Sequence, residues 1–308
     1  LIPARVVGGE VRDQKQFRPD SAREGNSMNR SVRVLAGLAI LLAVLSAAGC
    51  AKLKARDQLN KGVQSYKNSR YEEAIEHFKN AASLDPSLLN ARLYLATAYA
   101  QQYIPGAETE DNKRMAGSAI EEYKQVLTQD PKNINAVKGI AYLFLQMKDF
   151  DQAKQYYQKA AAVDSNDPEN YYSIAVIDWT QAYKLRQEQR SKLGMKPTDQ
   201  LKDKKGCSFV KTNNQAPVEE GIKMLQKALQ IRPDYDDAMA YLNLLYRERA
   251  DYECDDASAR AADTKTANDW VDKTLATKKA KAEKQGAGGI VIDQKIGQKI
   301  DQKIDQKK

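Results

Sequence analysis

Along the middle of the chain, small and large apolar residues recur at steps of three and four. Ala74, Phe78 and Ala81 follow this spacing, and it returns at Ala119, Tyr123 and Val126, at Ala153, Tyr157 and Ala160, and at Gly221, Leu225 and Ala228. Such steps keep residues on one face of a helix, so each triplet predicts an amphipathic helix. Pro86, Pro131 and Pro233 stand a few residues beyond three of the triplets, where a ring without an N–H stops the hydrogen-bond ladder. A second pattern lies upstream. Val34 to Leu45 is an unbroken apolar run, preceded by Arg30 and Arg33 and followed by small residues.

The stretch Gly62 to Pro86 resembles a tetratricopeptide repeat, a helix–turn–helix unit of about 34 residues. Each matching residue has a steric task. Gly62, Ala74 and Ala81 are small enough to let helices approach closely, while Tyr71 and Phe78 fill the space between them. Ala96 and Tyr99 open a second copy, Ala141 and Phe150 belong to a third, and Ala175 marks a fourth. The resemblance implies an all-α fold, a right-handed solenoid of four to five repeats spanning 55–88, 89–133, 134–166, 168–235 and a partial 236–250. Residues 251–277, which include Trp270, are expected to form a charged capping helix. Two insertions interrupt the register. About 11 extra residues fall near Ile104 to Ser118, and about 34 separate the fourth first helix from a second helix expected at Val218 to Ile231.

In such solenoids the first helices line the concave face. Carried onto this chain, the resemblance implies a groove built from Leu59, Val63, Tyr66, Leu93, Tyr142, Leu145, Tyr172, Val176, Trp179 and Leu244. Thr97, Lys138 and Arg247 fall at further inward positions. Leu59 and Val63 stand where some members carry the Lys and Asn that clamp a terminal carboxylate, which argues against that use here. The lining is apolar and aromatic, the chemistry that anchors extended or helical peptides. The alternative is that several of these side chains pack between repeats.

The upstream pattern reads as a secretory signal at 28–49, with a positive start, a short apolar stretch and a small-residue end. Ala47-Ala48-Gly49-Cys50 resembles the lipobox of bacterial lipoproteins, although Ala47 replaces the usual Leu. The resemblance implies cleavage before Cys50, acylation of Cys50, a tether at 50–54 and stable anchoring to a membrane. Ala51, rather than Asp, follows the cysteine, which implies the outer membrane, facing the periplasm. Residues 1–27 are either a mis-assigned start or an extension.

With Cys50 lipidated, Cys207 and Cys254 remain, an even pair that would form a disulfide in an oxidising compartment or stay as two thiols. Charge supports the pairing. Cys207 follows Lys204 and Lys205, while Asp251, Glu253, Asp255 and Asp256 surround Cys254.

The formal net charge of +8 first suggests a nucleic-acid partner, but its distribution argues otherwise. Residues 1–49 hold seven basic and four acidic side chains, and 278–308 hold nine and four, so the intervening body is neutral. Within it, Lys184 to Lys211 has nine basic and three acidic residues. That segment is read as a solvated lid held by Cys207, or as a contact for anionic lipid, glycan or an acidic partner. The tail at 278–308 carries four I-x-Q-K units at Ile292, Ile296, Ile300 and Ile304. It is low in complexity, and short isolated helices are marginal in water, so disorder is expected over an amphipathic helix.

No phosphate-binding glycine loop, nucleophile elbow or metal-spaced Cys/His cluster is present. Glu72-Glu73 and Glu219-Glu220 are read as helix first-turn acids, and His77 as a surface residue. No catalytic residue, metal, cofactor, small-molecule substrate or nucleic-acid partner is therefore expected. The functional expectation is a membrane-anchored, non-catalytic scaffold that binds a partner protein in envelope assembly. The alternative is an envelope regulator that binds cell wall or an anionic surface through its basic insertion and tail.

Overall fold

A computed structural model describes residues 30–305 apart from 198 and 202, with side chains described for 49–284 except at those two positions. The signal-region side chains and residues 1–29 therefore lie outside what is described. The chain divides into a unit of Leu1–Ala51, helical where described, and a unit of Lys52–Lys308. Among the described residues every regular element is a helix, and no helix is long and apolar enough to cross a membrane.

The second unit is a series of helical hairpins. Its helices are α1 (Arg30–Lys67, from residue 52 onward), α2 (Tyr71–Leu84), α3 (Leu89–Gln102), α4 (Glu110–Gln129), α5 (Ile134–Gln146), α6 (Phe150–Val163), α7 (Pro168–Lys192), α8 (Lys204–Ile231), α9 (Asp236–Tyr252) and α10 (Ala257–Asp305). Successive helices pack as neighbours, and the first helices α3 and α5, and α7 and α9, also touch. The small positions read from the sequence hold the hairpins together. Ala74, Ala81, Ala96, Ala119, Ala141, Ala153, Ala160, Ala175 and Ala228 are fully buried. At Gly62 the approach is very close, since a Cβ there would lie 2.5 Å from the Phe78 ring. Gly221 plays the same part against Leu245, where a Cβ would lie 2.8 Å from the side chain.

Both insertions differ from expectation in where they go. In the second hairpin the extra residues form a short loop plus an N-terminal extension of α4, capped by Thr109. Asn112, buried on α4, pins the loop by accepting from the Ile104 N–H at 2.7 Å and donating to the carbonyls of Ile104 (2.8 Å) and Ala107 (2.7 Å). In the fourth hairpin the insertion is not a lid. It lengthens both helices, and only residues 193–203 connect them. The second helix begins at Lys204, well before Val218, and runs through Pro217. Pro217 removes one ladder donor, which is why the sequence reads as a helix start there. Buried Asn214, one turn earlier, ties this stretch to α7 by donating to the Ala182 carbonyl at 2.8 Å.

The earlier start of α8 also moves Glu219 and Glu220 from a first turn to mid-helix, where they pair with Arg249 and Lys154. Glu72 and Glu73 do occupy the first turn of α2. His77 is half-buried rather than on the open surface, 2.8 Å from Gln58 Oε1. The capping segment is the start of α10, which packs on α9 and is helical through Asp305 where disorder was expected. The period of four in the I-x-Q-K units is close to the helical period, and Lys and Gln are good helix formers.

Candidate functional site

The first three hairpins bring inward-facing residues of consecutive first helices to one place. Val63, Tyr66 and Lys67 on α1, Leu93, Tyr94 and Thr97 on α3, and Asn135 on α5 enclose a cavity of about 460 Å³. Phe78 of α2 and Tyr123 of α4 form its floor. Both floor residues are buried because they fill the gap beside a small residue, Gly62 for Phe78 and Gly139 for Tyr123. The sequence spacing that packs the hairpins thus also paves the cavity.

Hydrogen bonds and ring packing hold the walls. Thr97 donates to the Leu93 carbonyl at 2.8 Å and lies 3.1 Å from the Tyr123 hydroxyl. Tyr94 packs on Phe78 with ring centres 5.7 Å apart yet remains 41% exposed, so its outer face is available. Burial raises the hydroxyl pKa of Tyr66 and Tyr123. Both stay neutral at ordinary pH, and among the described residues Lys67 is the one formal charge on the wall. A smaller pocket of about 240 Å³ adjoins the cavity, sharing Thr97 and Tyr123 and adding Gln101, Tyr103 and the half-exposed Tyr142.

Of the ten residues assigned to a groove from the sequence, Val63, Tyr66 and Leu93 meet in the main cavity and Tyr142 lines its neighbour. Leu59 packs beside the buried Ala81, Ala82 and Ala91, and Leu145 packs beside Ala141, Tyr157 and Ile174. Tyr172 and Trp179 join an aromatic cluster on α7 and α9, each with its ring centre 5.4 Å from Tyr241 and edge-on to it. Val176 and Leu244 are half-buried. Tyr94, Tyr123, Phe78 and Asn135 were not assigned. Tyr94 directly follows Leu93 and widens the same helix face. Tyr123 and Phe78 carried a packing role in the sequence, and that role hid their second surface.

A buried acid lies outside this cavity, between α6, α7 and α8. Asp178 is fully buried and accepts from Lys154 Nζ at 2.5 Å, while Lys154 also reaches Glu220 at 2.9 Å. Burial raises the Asp178 carboxyl to about 7 against the opposing pull of Lys154. Among the described residues no group of three or more His, Cys, Asp or Glu side chains could hold a metal ion.

Residues 114–175 match the tetratricopeptide repeat family. The fold is a tetratricopeptide-repeat solenoid. Two crystal structures of the MamA protein overlay on it at 15% identity. One has a TM-score of 0.51 and covers 75% of this chain and 94% of MamA. The other has a TM-score of 0.50 and covers 72% and 96%. YrrB, described as a TPR protein with an unusual peptide-binding site, overlays at 15% identity and a TM-score of 0.45, covering 72% of this chain and 90% of YrrB. No curated protein matches the chain in sequence. At these identities the likeness is one of fold. In the tetratricopeptide-repeat frame, α1, α3, α5, α7 and α9 are the first helices, and the cavity is lined chiefly from the first three of them.

Proposed function

We propose that the chain is a non-catalytic scaffold that holds a segment of a partner protein in the cavity between its first three repeats. The observation that carries this reading is the cavity itself, which is apolar, neutral-walled apart from Lys67 and edged by the half-exposed ring of Tyr94, with the half-exposed Tyr142 in the adjoining pocket. An aromatic or aliphatic side chain placed there would bury its surface at roughly 25 cal/mol per Å². Aromatic anchors of this kind dominate peptide affinity. The partner segment is apolar, and the site needs no cofactor or metal.

The scaffold acts at a membrane, through lipid on Cys50, in assembly of the cell envelope. The support is the Ala47-Ala48-Gly49-Cys50 sequence and an exposed Cys50 without a disulfide partner, directly ahead of the first repeat. Ala51 favours the outer membrane, facing the periplasm.

Two measurements test these statements. A photo-crosslinking amino acid at position 94 should capture a partner in cells, and Val63→Asp should lower that yield about tenfold by putting a charge on the apolar wall. Equal yields in the two proteins would sink the cavity reading. Labelling with a fatty-acid analogue should mark the protein and fail in Cys50→Ala. An unlabelled wild type would remove the anchor.

A further inference from the structure

A second cavity, of about 540 Å³, lies where the end of α7, α9, the start of α10 and the 193–203 connection meet. Its chemistry is opposite to that of the first. Arg186, Arg190, Arg247 and Arg260 face it, and among the described residues Asp251 is the one carboxylate in its wall.

Two of the four guanidinium charges are neutralised. Arg186 forks onto Glu248 with two bonds of 2.6 Å and reaches Asp251 at 2.6 Å, and Arg190 reaches Asp251 at 3.1 Å. The other two are bonded to neutral oxygens. Arg247 donates to the side-chain oxygens of Asn243 and Asn268, both at 2.8 Å. Arg260 donates to the main-chain oxygens of Glu253 and Cys254, and the Gln200 amide lies against it. Among the described residues, the cavity therefore holds two uncompensated positive charges. The Nε atoms of Arg190 and Arg260 are buried and have no acceptor among the described residues. Of the two uncompensated groups Arg247 is exposed, while Arg260 is half-buried with its Nε shielded from solvent, so part of this charge sits in poorly solvated surroundings, where attraction for an anion is strengthened.

Size and opening set the kind of anion. The volume is many times that of a water, about 30 Å³, or of a small ion. The rim, with Tyr183 and Arg247, is exposed. Tyr183 stacks on Trp179 at 5.2 Å, so an aromatic strip reaching Tyr241 leads away from the arginines. We infer that this cavity binds the paired acidic side chains of a peptide segment, two carboxylates opposite Arg247 and Arg260, with an apolar residue next to them on the Trp179–Tyr183 strip. The assignment rests on the reading of the chain as a peptide-binding scaffold. It adds a site that lies outside the first-helix cavity and that the fourth-repeat insertion helps to build.

The test uses the full chain and a fluorescent tetra-glutamate peptide blocked at both ends, so that only side-chain carboxylates are presented. Binding should weaken as salt rises and be absent for the tetra-glutamine peptide. Arg247→Gln should weaken it about tenfold, and Arg247→Glu should abolish it. Because Arg247 is exposed and bonded to amides alone, both variants should unfold at the wild-type temperature. Unchanged binding in Arg247→Glu, equal binding of tetra-glutamine, or displacement by inorganic phosphate at matched charge would each overturn the assignment, the last by making the cavity a free-anion site. Val63→Asp should leave tetra-glutamate binding intact. Loss of the cellular crosslink at position 94 and loss of tetra-glutamate binding are therefore separate failures.

Discussion

The first three repeats and the last two use the same hairpin but hold it together differently. In the first three, contact is set by missing volume: Gly62, Ala74, Ala96, Ala119, Ala141 and Ala153 let helices close on Phe78, Tyr123 and Tyr157. In the last two the frame persists at Ala175, Gly221 and Ala228, but the lengthened ends of α7 and α8 run beyond it, and there charge and a covalent bond take over. Glu248 is 2% exposed between Arg186 and its neighbours, Arg249 forks onto Asp263 at 2.6 and 2.9 Å, and Cys207 is bonded to Cys254. Periodic packing works while the period lasts. Where an insertion breaks it, specificity has to come from interactions that do not depend on register. A mis-registered helix would strand a buried ion or fail to meet its cysteine.

The difference can be broken most severely at its ionic centre. Arg186→Leu would leave Glu248 and Asp251 facing Arg190 alone, and removing one partner of a buried pair costs roughly 3–5 kcal/mol. Urea unfolding should show that loss, and hydrogen exchange should place it in α7–α10 while α2–α4 keep their protection. Removing the Cys207–Cys254 bond should cost about 2–4 kcal/mol, again confined to the last two repeats. Equal loss of protection in all repeats would mean the two regions unfold as one and would erase the contrast.

Asp178 sharpens the comparison at the junction. Its folded carboxyl is raised to about 7, so between the unfolded value and 7 the folded chain holds a proton the unfolded chain has lost. The stability from this group is full below about pH 4 and is lost as pH rises toward 7. Asp178→Asn should flatten that decline, by on the order of 2 kcal/mol, in unfolding curves taken from pH 4 to 7. An unaltered pH profile would show that Lys154 keeps the carboxylate ionised throughout. The smallest effect tests the steric half. In Gly62→Ala the added methyl meets the fixed Phe78 ring, and the net cost after the helix-propensity gain should be about 1–2 kcal/mol. A stabilised variant would mean the α1–α2 contact tolerates an ordinary small residue.

The steric frame could be read from spacing because each contact joins residues a fixed number of steps apart. The first cavity was partly readable for the same reason. Val63, Tyr66, Leu93 and Thr97 recur at inward positions, while Tyr94 and Asn135 needed the packed neighbours to show their exposure. The fourth repeat resisted such reading. Pro217 mimicked a helix start, and the partners of Arg186, Lys211 and Arg190 lie 62, 42 and 61 residues away with no period to announce them. The basic excess of 184–211, nine basic against three acidic residues, looked like a surface charge for the same reason. Five of those residues, Lys184, Arg186, Arg190, Lys204 and Lys211, are paired with carboxylates.

The Cys207–Cys254 bond also changes how the chain would answer a mechanical load. Pulled from its two ends, an unfolding solenoid pays out thread hairpin by hairpin. The 47-residue span between the two sulfurs cannot be paid out while the bond stands. About 160 Å of contour length, at roughly 3.4 Å per residue, stays locked inside a closed ring until a reductant opens it. A protein tethered at one end and gripped by a partner at the other would therefore have a maximum reach set by the redox state of its surroundings.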